Sequence, residues 1–464
     1  MNDLRPLLRH TADLAADFLA SVDARPVFPP ATPDELLERL GGPLPSGPTD
    51  PADVVDKLVA AVEPGLVAIP SGRYFGFVNG GELPAALAAD WLTSAWDQNA
   101  GLYASGPAAA VVEEVVRRWV TDLLGLPGGS SLGLVTGTQM GSVTALAAAR
   151  FRVLERAGWD VARDGLAGGP RVRVIGGVQR HVTIDRALRL LGLGTPEAVA
   201  ADAQGRMEPA ALHEALAVRS NEPTIVCAQA GEVNTGAFDP FEEIAVACSE
   251  HGAWLHVDGA FGLWAAASPA LRPLLRGVER ADSWITDAHK WLNVPYDAAL
   301  VLCADADAHR AAMSGTASYL VQDQGSFTNP YEWVPEASRR ARGFPVYAAL
   351  RSLGRTGLAD LVEGACACAR RFAAGIVGVP GAELLNDVVL NQVLFRFESD
   401  ERTDDILAAV QRSGHVWLGG TTWAGRRAIR LSVSNWRTGE EEIDLALSSF
   451  RAAAAQTPVH APAR

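Results

Sequence analysis

Between about residues 100 and 345 the chain alternates short, continuous apolar runs with helical stretches, and that alternation restricts the fold more than any other feature. The runs are Leu132–Val135, Val172–Gly176, Pro223–Gln229, Ala253–Val257, Ser283–Thr286 and Ala298–Leu302, with helical stretches such as Gly141–Arg156 between them. A strand that is apolar at successive positions must be covered on both faces. Strand–helix alternation then predicts an α/β fold with a mainly parallel central sheet.

Outside this region the pattern changes. Residues 1–60 read as helix, proline-rich strap and helix, with Leu4, Leu7, Leu8, Leu14 and Phe18 at helical spacing. Val27–Pro51 is dense in Pro and Gly and is expected to be mostly extended. An amphipathic arm of this kind buries its stripe on its own domain or around a second subunit. After Pro345 a helical stretch runs to Val377, and strand-like Val388–Phe397 and Ala428–Val433 flank a helix around Asp404–Gly414. The expected division is an N-terminal helical and strap segment (1–100), a large α/β domain (101–345) and a small C-terminal α+β domain (346–464).

Charge narrows the function classes. The 40 basic against 54 acidic side chains leave −14, which argues against nucleic acid and anionic membrane surfaces as partners. Five cysteines (227, 248, 303, 366, 368) at irregular spacing fit a reducing compartment, and no His/Cys cluster completes a metal site. The N-terminus lacks the form of a signal peptide and no long uncharged apolar run occurs, so the expectation is cytoplasmic. Of the 40 basic residues 38 are Arg, and only Lys57 and Lys290 are Lys. Arginine replaces lysine as a surface charge but is a poor amine nucleophile. A lysine that must form an imine is the kind that persists in such a background.

Ligands of open parallel sheets bind beyond the carboxyl ends of the strands, and four segments fall there. Leu132–Leu146 is a strand, a turn with Gly137 and Gly141, and a helix whose first N–H groups suit a phosphate. In His256-Val-Asp258-Gly-Ala260-Phe an acid ends an apolar run. In Trp284-Ile-Thr-Asp-Ala-His289-Lys290 a lysine follows another, where lost solvation favours a reactive amine. His181 follows Val172–Gly176. Singly, each has an ordinary explanation as a turn, a helix cap, a solvated charge or a structural imidazole. Together they fit pyridoxal 5'-phosphate, which needs a lysine, an acid at its ring nitrogen, a phosphate cup and packing on both ring faces.

HVDGAF, DAHKW and HVTIDRALRLLG resemble the group II pyridoxal-phosphate-dependent amino-acid decarboxylases, the group of aromatic-L-amino-acid and glutamate decarboxylases. The likeness runs in order from RYFGFVNGG at Arg73 to RLSVSNWRTGEEEI at Ile443. It implies the fold-type I, aspartate-aminotransferase-like architecture and a homodimer. It also implies roles. Lys290 would be the Schiff-base lysine, Asp258 the partner of the pyridinium, Ala260 the floor beneath the ring and His181 the group stacked above it. His289, Thr138, Gln139 and Asn234 would surround the phosphate. Tyr319 falls where members carry a loop tyrosine that returns a proton to Cα. Arg430 would meet the substrate carboxylate, with Phe75, Phe77, Asn79 and Tyr103 around the substrate.

Three departures mark a divergent branch. Gln139-Met140 stands where many members have Ser or Thr followed by Glu, Asp287-Ala288 where Asn-Pro is common, and Gly259 where Ala is usual. The expected activity is decarboxylation of an L-amino acid, with an aromatic or apolar side chain, to its amine. The competing readings are an aminotransferase or an aldehyde-forming oxidative deaminase on the same scaffold. More distant is a cofactor-binding regulator, which the N-terminus, lacking a helix-turn-helix, disfavours.

Overall fold

The computed structural model describes residues 3–219, 221–315 and 329–457. Among the described residues seven strands form the central sheet: β1 (Ser131–Val135), β2 (Arg173–Gly177), β3 (Glu197–Val199), β4 (Thr224–Gln229), β5 (Trp254–Asp258), β6 (Ser283–Asp287) and β7 (Ala299–Cys303). Their order is β1-β7-β6-β5-β4-β2-β3. Only β7 runs against its neighbours, β1 and β6; the other pairs are parallel. The apolar runs therefore become strands within a residue or two of expectation, and the short edge strand β3 is an addition. Glu197 and Ala198 there are not buried, so β3 lacks the apolar signal of its neighbours.

Period-2 side-chain alternation explains why the runs are apolar throughout. On β4, Ile225 and Cys227 join Leu146, Val153, Val174 and Trp254 on one face. Val226 and Ala228 join Leu134, Ile175, Leu255, Val257 and Leu300 on the other. The helix Thr138–Arg156 follows β1 and lies across the sheet, burying Ala145, Leu146, Ala148, Ala149 and Val153.

Four antiparallel strands make the C-terminal sheet, in the order β10-β11-β9-β8: β8 (Glu383–Leu384), β9 (Gln392–Arg396), β10 (Gly419–Trp423) and β11 (Arg426–Ser432). The helices Asp400–Ser413 and Glu440–Gln456 accompany it, and Phe372, Phe395, Phe397 and Phe450 stack into its core. The long helical stretch spans Gly343–Ile376 and is interrupted at Gly354, whose φ of +61° lies where glycine is favoured.

At the N-terminus the expected extended strap is broken by a helix, Pro33–Leu40. Thr32 caps it, accepting from Glu35 N–H while the Glu35 carboxylate accepts from Thr32 N–H, a local device that overrides the proline-rich composition. The helices Arg5–Ser21 and Pro51–Val62 flank it, and Leu4, Leu8, Leu37, Leu40 and Leu58 are exposed on this arm. No helix among the described residues is long and apolar enough to cross a membrane.

Arg339 ties Ala100 and Glu113 to the sheet. Its buried guanidinium donates to Glu113 Oε1 (2.7 Å), Ala100 O (2.9 Å) and Leu134 O (2.7 Å). Removing one member of such a pair leaves the other charged and buried. Arg339→Met is expected to cost about 3–5 kcal/mol, read as a lowered urea midpoint at unchanged slope.

Candidate active site

The parallel register gathers strand ends. Gln229 at the end of β4 pairs with Asp258 at the end of β5, and Val135 and Asp287 both lie opposite Ala299 of β7. The side chains that follow these ends meet at one edge of the sheet.

Asp287 is the hub. It is buried, and its carboxylate accepts from Thr138 N–H (2.8 Å) and Thr138 Oγ1–H (2.9 Å) at the head of the helix Thr138–Arg156. Lys290 Nζ lies 2.8 Å from Oδ2, and His289 Nε2 lies 3.4 Å from Oδ1. Burial pushes the Asp287 carboxyl up, but Lys290, His289 and the hydrogen bonds from Lys290 and Thr138 outweigh it and hold it below the usual carboxylate range. His289 Nδ1 accepts from Ala298 N–H (3.2 Å), which leaves Nε2 to carry the hydrogen in the neutral ring. Burial keeps that ring below the ordinary imidazole range.

Asp258 stands one strand away with far fewer partners. Ala260 N–H donates to its Oδ1 at 3.1 Å. Burial pushes its carboxyl up, and His181, Lys290 and the Ala260 N–H pull it only partly back. His181 caps the helix Val182–Leu190, its backbone N–H on Gln229 Oε1 (3.1 Å) and its Nδ1 against Thr183 Oγ1 (2.8 Å). Burial lowers its pKa, and the nearby Asp258 only partly offsets this.

The remaining expected residues divide. Gln139 Nε2 donates to Thr183 O (3.2 Å), joining the Thr138 turn to the helix that His181 caps. Asn79 Oδ1 accepts from Tyr296 Oη (2.7 Å), and Tyr296 stacks on His289 at 4.3 Å, so Asn79 belongs to the cluster. Asn234 is engaged with protein, donating to Glu232 Oε1 (2.9 Å) and accepting from Thr421 Oγ1 (2.9 Å). Arg430 donates to Val233 O (3.1 Å), and burial lowers its pKa. Phe75 is wholly inside the main core, whereas Phe77 is 61% exposed and packs on Trp417 at 5.3 Å, beside the stacked Tyr74–Trp417 pair. Tyr103 opens a short 3-10 turn with its N–H on Asn329 Oδ1 (2.9 Å). Tyr319 lies outside the described residues.

Three residues of this site escape sequence reading. Asp287 registers there only as a departure from Asn. Tyr296 and Asn293 sit in the turn after Lys290, and their contacts join segments far apart in the chain. Asn293 Oδ1 accepts from Gly81 N–H (2.6 Å) and Trp436 N–H (3.0 Å), and its Nδ2 donates to Ser434 O (3.0 Å).

The donor set suits a phosphorylated aldehyde cofactor: an amine, a buried carboxylate with spare acceptor capacity, an imidazole and a helix head. Residues 33–398 match the family model for the pyridoxal-dependent decarboxylase conserved domain. The chain belongs to that family.

Its relatives cover nearly all of its length. Tryptophan decarboxylase 1 of Oryza sativa subsp. japonica is 28% identical, with 94% of this chain and 90% of the relative covered. The aromatic-L-amino-acid decarboxylase of Bacillus atrophaeus is 26% identical over 99% of this chain and 97% of its own. The crystal structure of Oryza sativa TDC with PLP and tryptamine superposes with a TM-score of 0.92, at 26% identity and 98% coverage of both chains. This decarboxylase is thus a fold-type I, pyridoxal-phosphate-dependent carboxy-lyase that converts an L-amino acid to its amine and CO2.

Gly80 gives a test of the geometry. A Cβ on it would fall 1.9 Å from the Lys290 carbonyl oxygen, so the backbone carrying Lys290 would have to move. Gly80→Ala is expected to lower kcat/KM about 10–100-fold with far-ultraviolet circular dichroism unchanged, since a displacement of about 1 Å at a reacting group has that effect.

Proposed function

We propose that the decarboxylase acts on an aromatic L-amino acid and that Lys290, Asp258, His181 and Tyr319 carry the reaction. The observation that supports this most is the meeting of Lys290, Asp258 and His181, which follow or end β6, β5 and β2 at one edge of the sheet, beside the head of the helix Thr138–Arg156. The cofactor, when bound, supplies a sink for the electron pair left at Cα as CO2 departs.

Lys290 would be the amine that holds the cofactor. Asp258, short of donors, would accept from the ring nitrogen and keep its proton in place. Ala260 and His181 would be the groups that pack against the ring. Thr138, Gln139 and His289 would serve the phosphate, with Asn234 a further contact of this reading. Arg430 orients the substrate carboxylate, and Tyr319 delivers the proton to Cα. Phe77, exposed on the Trp417 ring, favours a flat side chain, and Phe75, Asn79 and Tyr103 are the other substrate contacts of this reading. The names of the two relatives, a tryptophan and an aromatic-L-amino-acid decarboxylase, point the same way.

The enzyme works as a homodimer in the cytoplasm. Among the described residues the helix Arg5–Ser21 buries none of its own, and five unpaired cysteines suit a reducing compartment. Sedimentation of a fully active monomer would refute the dimer.

Mass spectrometry of products from pooled L-amino acids in D2O tests the reaction. The expected product is an aromatic amine with one deuterium at Cα. A keto acid would replace decarboxylation by transamination, whereas an aldehyde with ammonia would mean that loss of CO2 is accompanied by oxidative deamination with O2 as the oxidant. Tyr319→Phe is expected to divert product from amine toward aldehyde, and unchanged amine yield would remove Tyr319 from its role.

A further inference from the structure

The head of the helix Thr138–Arg156 is the part of the site best suited to an anion, and a protein carboxylate already sits on it. Its first residue, Thr138, presents a backbone N–H and a hydroxyl, and both donate to Asp287, at 2.8 and 2.9 Å. Asp287 is 2% exposed and also holds Lys290 at 2.8 Å. The groups facing it are thus the two cationic or potentially cationic side chains Lys290 and His289, the Thr138 donors, and, more remotely, the acid Asp258.

We infer that Asp287 is an internal occupant of the anion site, competing with the phosphate of pyridoxal phosphate for the Thr138 donors. The inference rests on the proposed reading of the Thr138 turn as the phosphate cup. A phosphate monoester carries close to two negative charges near neutral pH. Two anions sharing one desolvated helix head repel, and one N–H cannot serve both well. Asp287 must therefore yield Thr138 before that donor can face a second anion, and Lys290 must leave Asp287 to hold the cofactor. A neutral amide at this position keeps a hydrogen-bonding group of the same shape without the opposing charge. The substitution of Asp for the common Asn thereby weakens the hold on the phosphate specifically, leaving recognition of the ring to Asp258, Ala260 and His181.

The test is binding, not turnover. Purified protein stripped of cofactor is titrated with pyridoxal phosphate and, separately, with pyridoxal, following the visible absorption of the bound form. Asp287→Asn is expected to raise the affinity ratio of pyridoxal phosphate to pyridoxal about tenfold, the effect of removing one nearby like charge from a partly screened site. A ratio that is unchanged or lower in Asp287→Asn overturns the inference.

Thr138→Pro separates that failure from failure of the cup itself. It deletes the N–H at the first helical position, where proline is tolerated. If Thr138→Pro lowers the ratio while Asp287→Asn leaves it unchanged, the cup stands and the competition is wrong. If neither variant moves it, both ideas fall.

Inorganic phosphate gives a second measurement on the wild type. Titrated with pyridoxal phosphate and with pyridoxal in the presence and absence of inorganic phosphate, the wild type should lose affinity for the former only when the added phosphate is raised far enough to displace Asp287 from Thr138, so that the competing phosphate concentration is lower in Asp287→Asn. Equal competing concentrations in the two proteins would overturn the occupancy.

Discussion

The Asp287 carboxylate, buried at the end of β6 and shared between Thr138, Lys290 and His289, fixes three separate pieces of the molecule against one another. A buried carboxylate is tolerated only with good partners, and removing any of them leaves a charge without compensation. Here the partners belong to different elements: the head of the helix Thr138–Arg156, the turn that carries Lys290, and the strand itself. The position of the lysine is therefore set by a charge balance rather than by apolar packing alone. A lysine at the sheet edge with no such partner would sample many rotamers, and its amine would be held far less closely to one place.

The sheet supplies the frame and the flanking segments close it. Parallel pairing brings the ends of β4, β5 and β6 to one edge, and β7 runs back between β6 and β1 so that Val135 and Asp287 flank Ala299. Asn293 then clasps Gly81 from the N-terminal segment and Ser434 and Trp436 from beyond β11. Its φ of +54° is a conformation that asparagine tolerates better than most residues. Gly80 approaches the Lys290 carbonyl so closely that no side chain fits. The segments outside the sheet thus act directly on the turn that bears the amine.

These features differ in how far the sequence discloses them. The strands of the central sheet are legible because burial on both faces demands continuous apolar runs, and Lys290 stands out because nearly every other basic residue is arginine. Family resemblance adds Asp258 and His181, whose residue types alone allow ordinary structural roles. Asp287 is visible only as an unusual residue, since its meaning depends on Thr138, 149 residues earlier in the chain. Tyr296 and Asn293 are equally long-range. Phe75 and Phe77 are indistinguishable as aromatic letters, yet a φ of +52° at Phe77 turns one outward while the other enters the core. The capping box at Thr32 was readable locally, but the surrounding prolines outweigh it in composition.

The two carboxylates at the sheet edge show how one scaffold gives the same functional group opposite properties. Both are buried, so desolvation pushes both pKa values up. Asp287 receives two hydrogen bonds from Thr138 and one ammonium at contact distance, and these more than reverse the effect. Asp258 receives one backbone N–H and the charges of His181 and Lys290, and these do not overcome burial, so its pKa stays raised. Environments that drive two acids apart assign them different work. The satisfied carboxylate has nothing left to gain from a further cation and serves to hold protein groups in place. The unsatisfied one gains most from a cation brought against it, and a protonated ring nitrogen arriving at Asp258 would be stabilised by the same desolvation that makes the empty carboxylate costly.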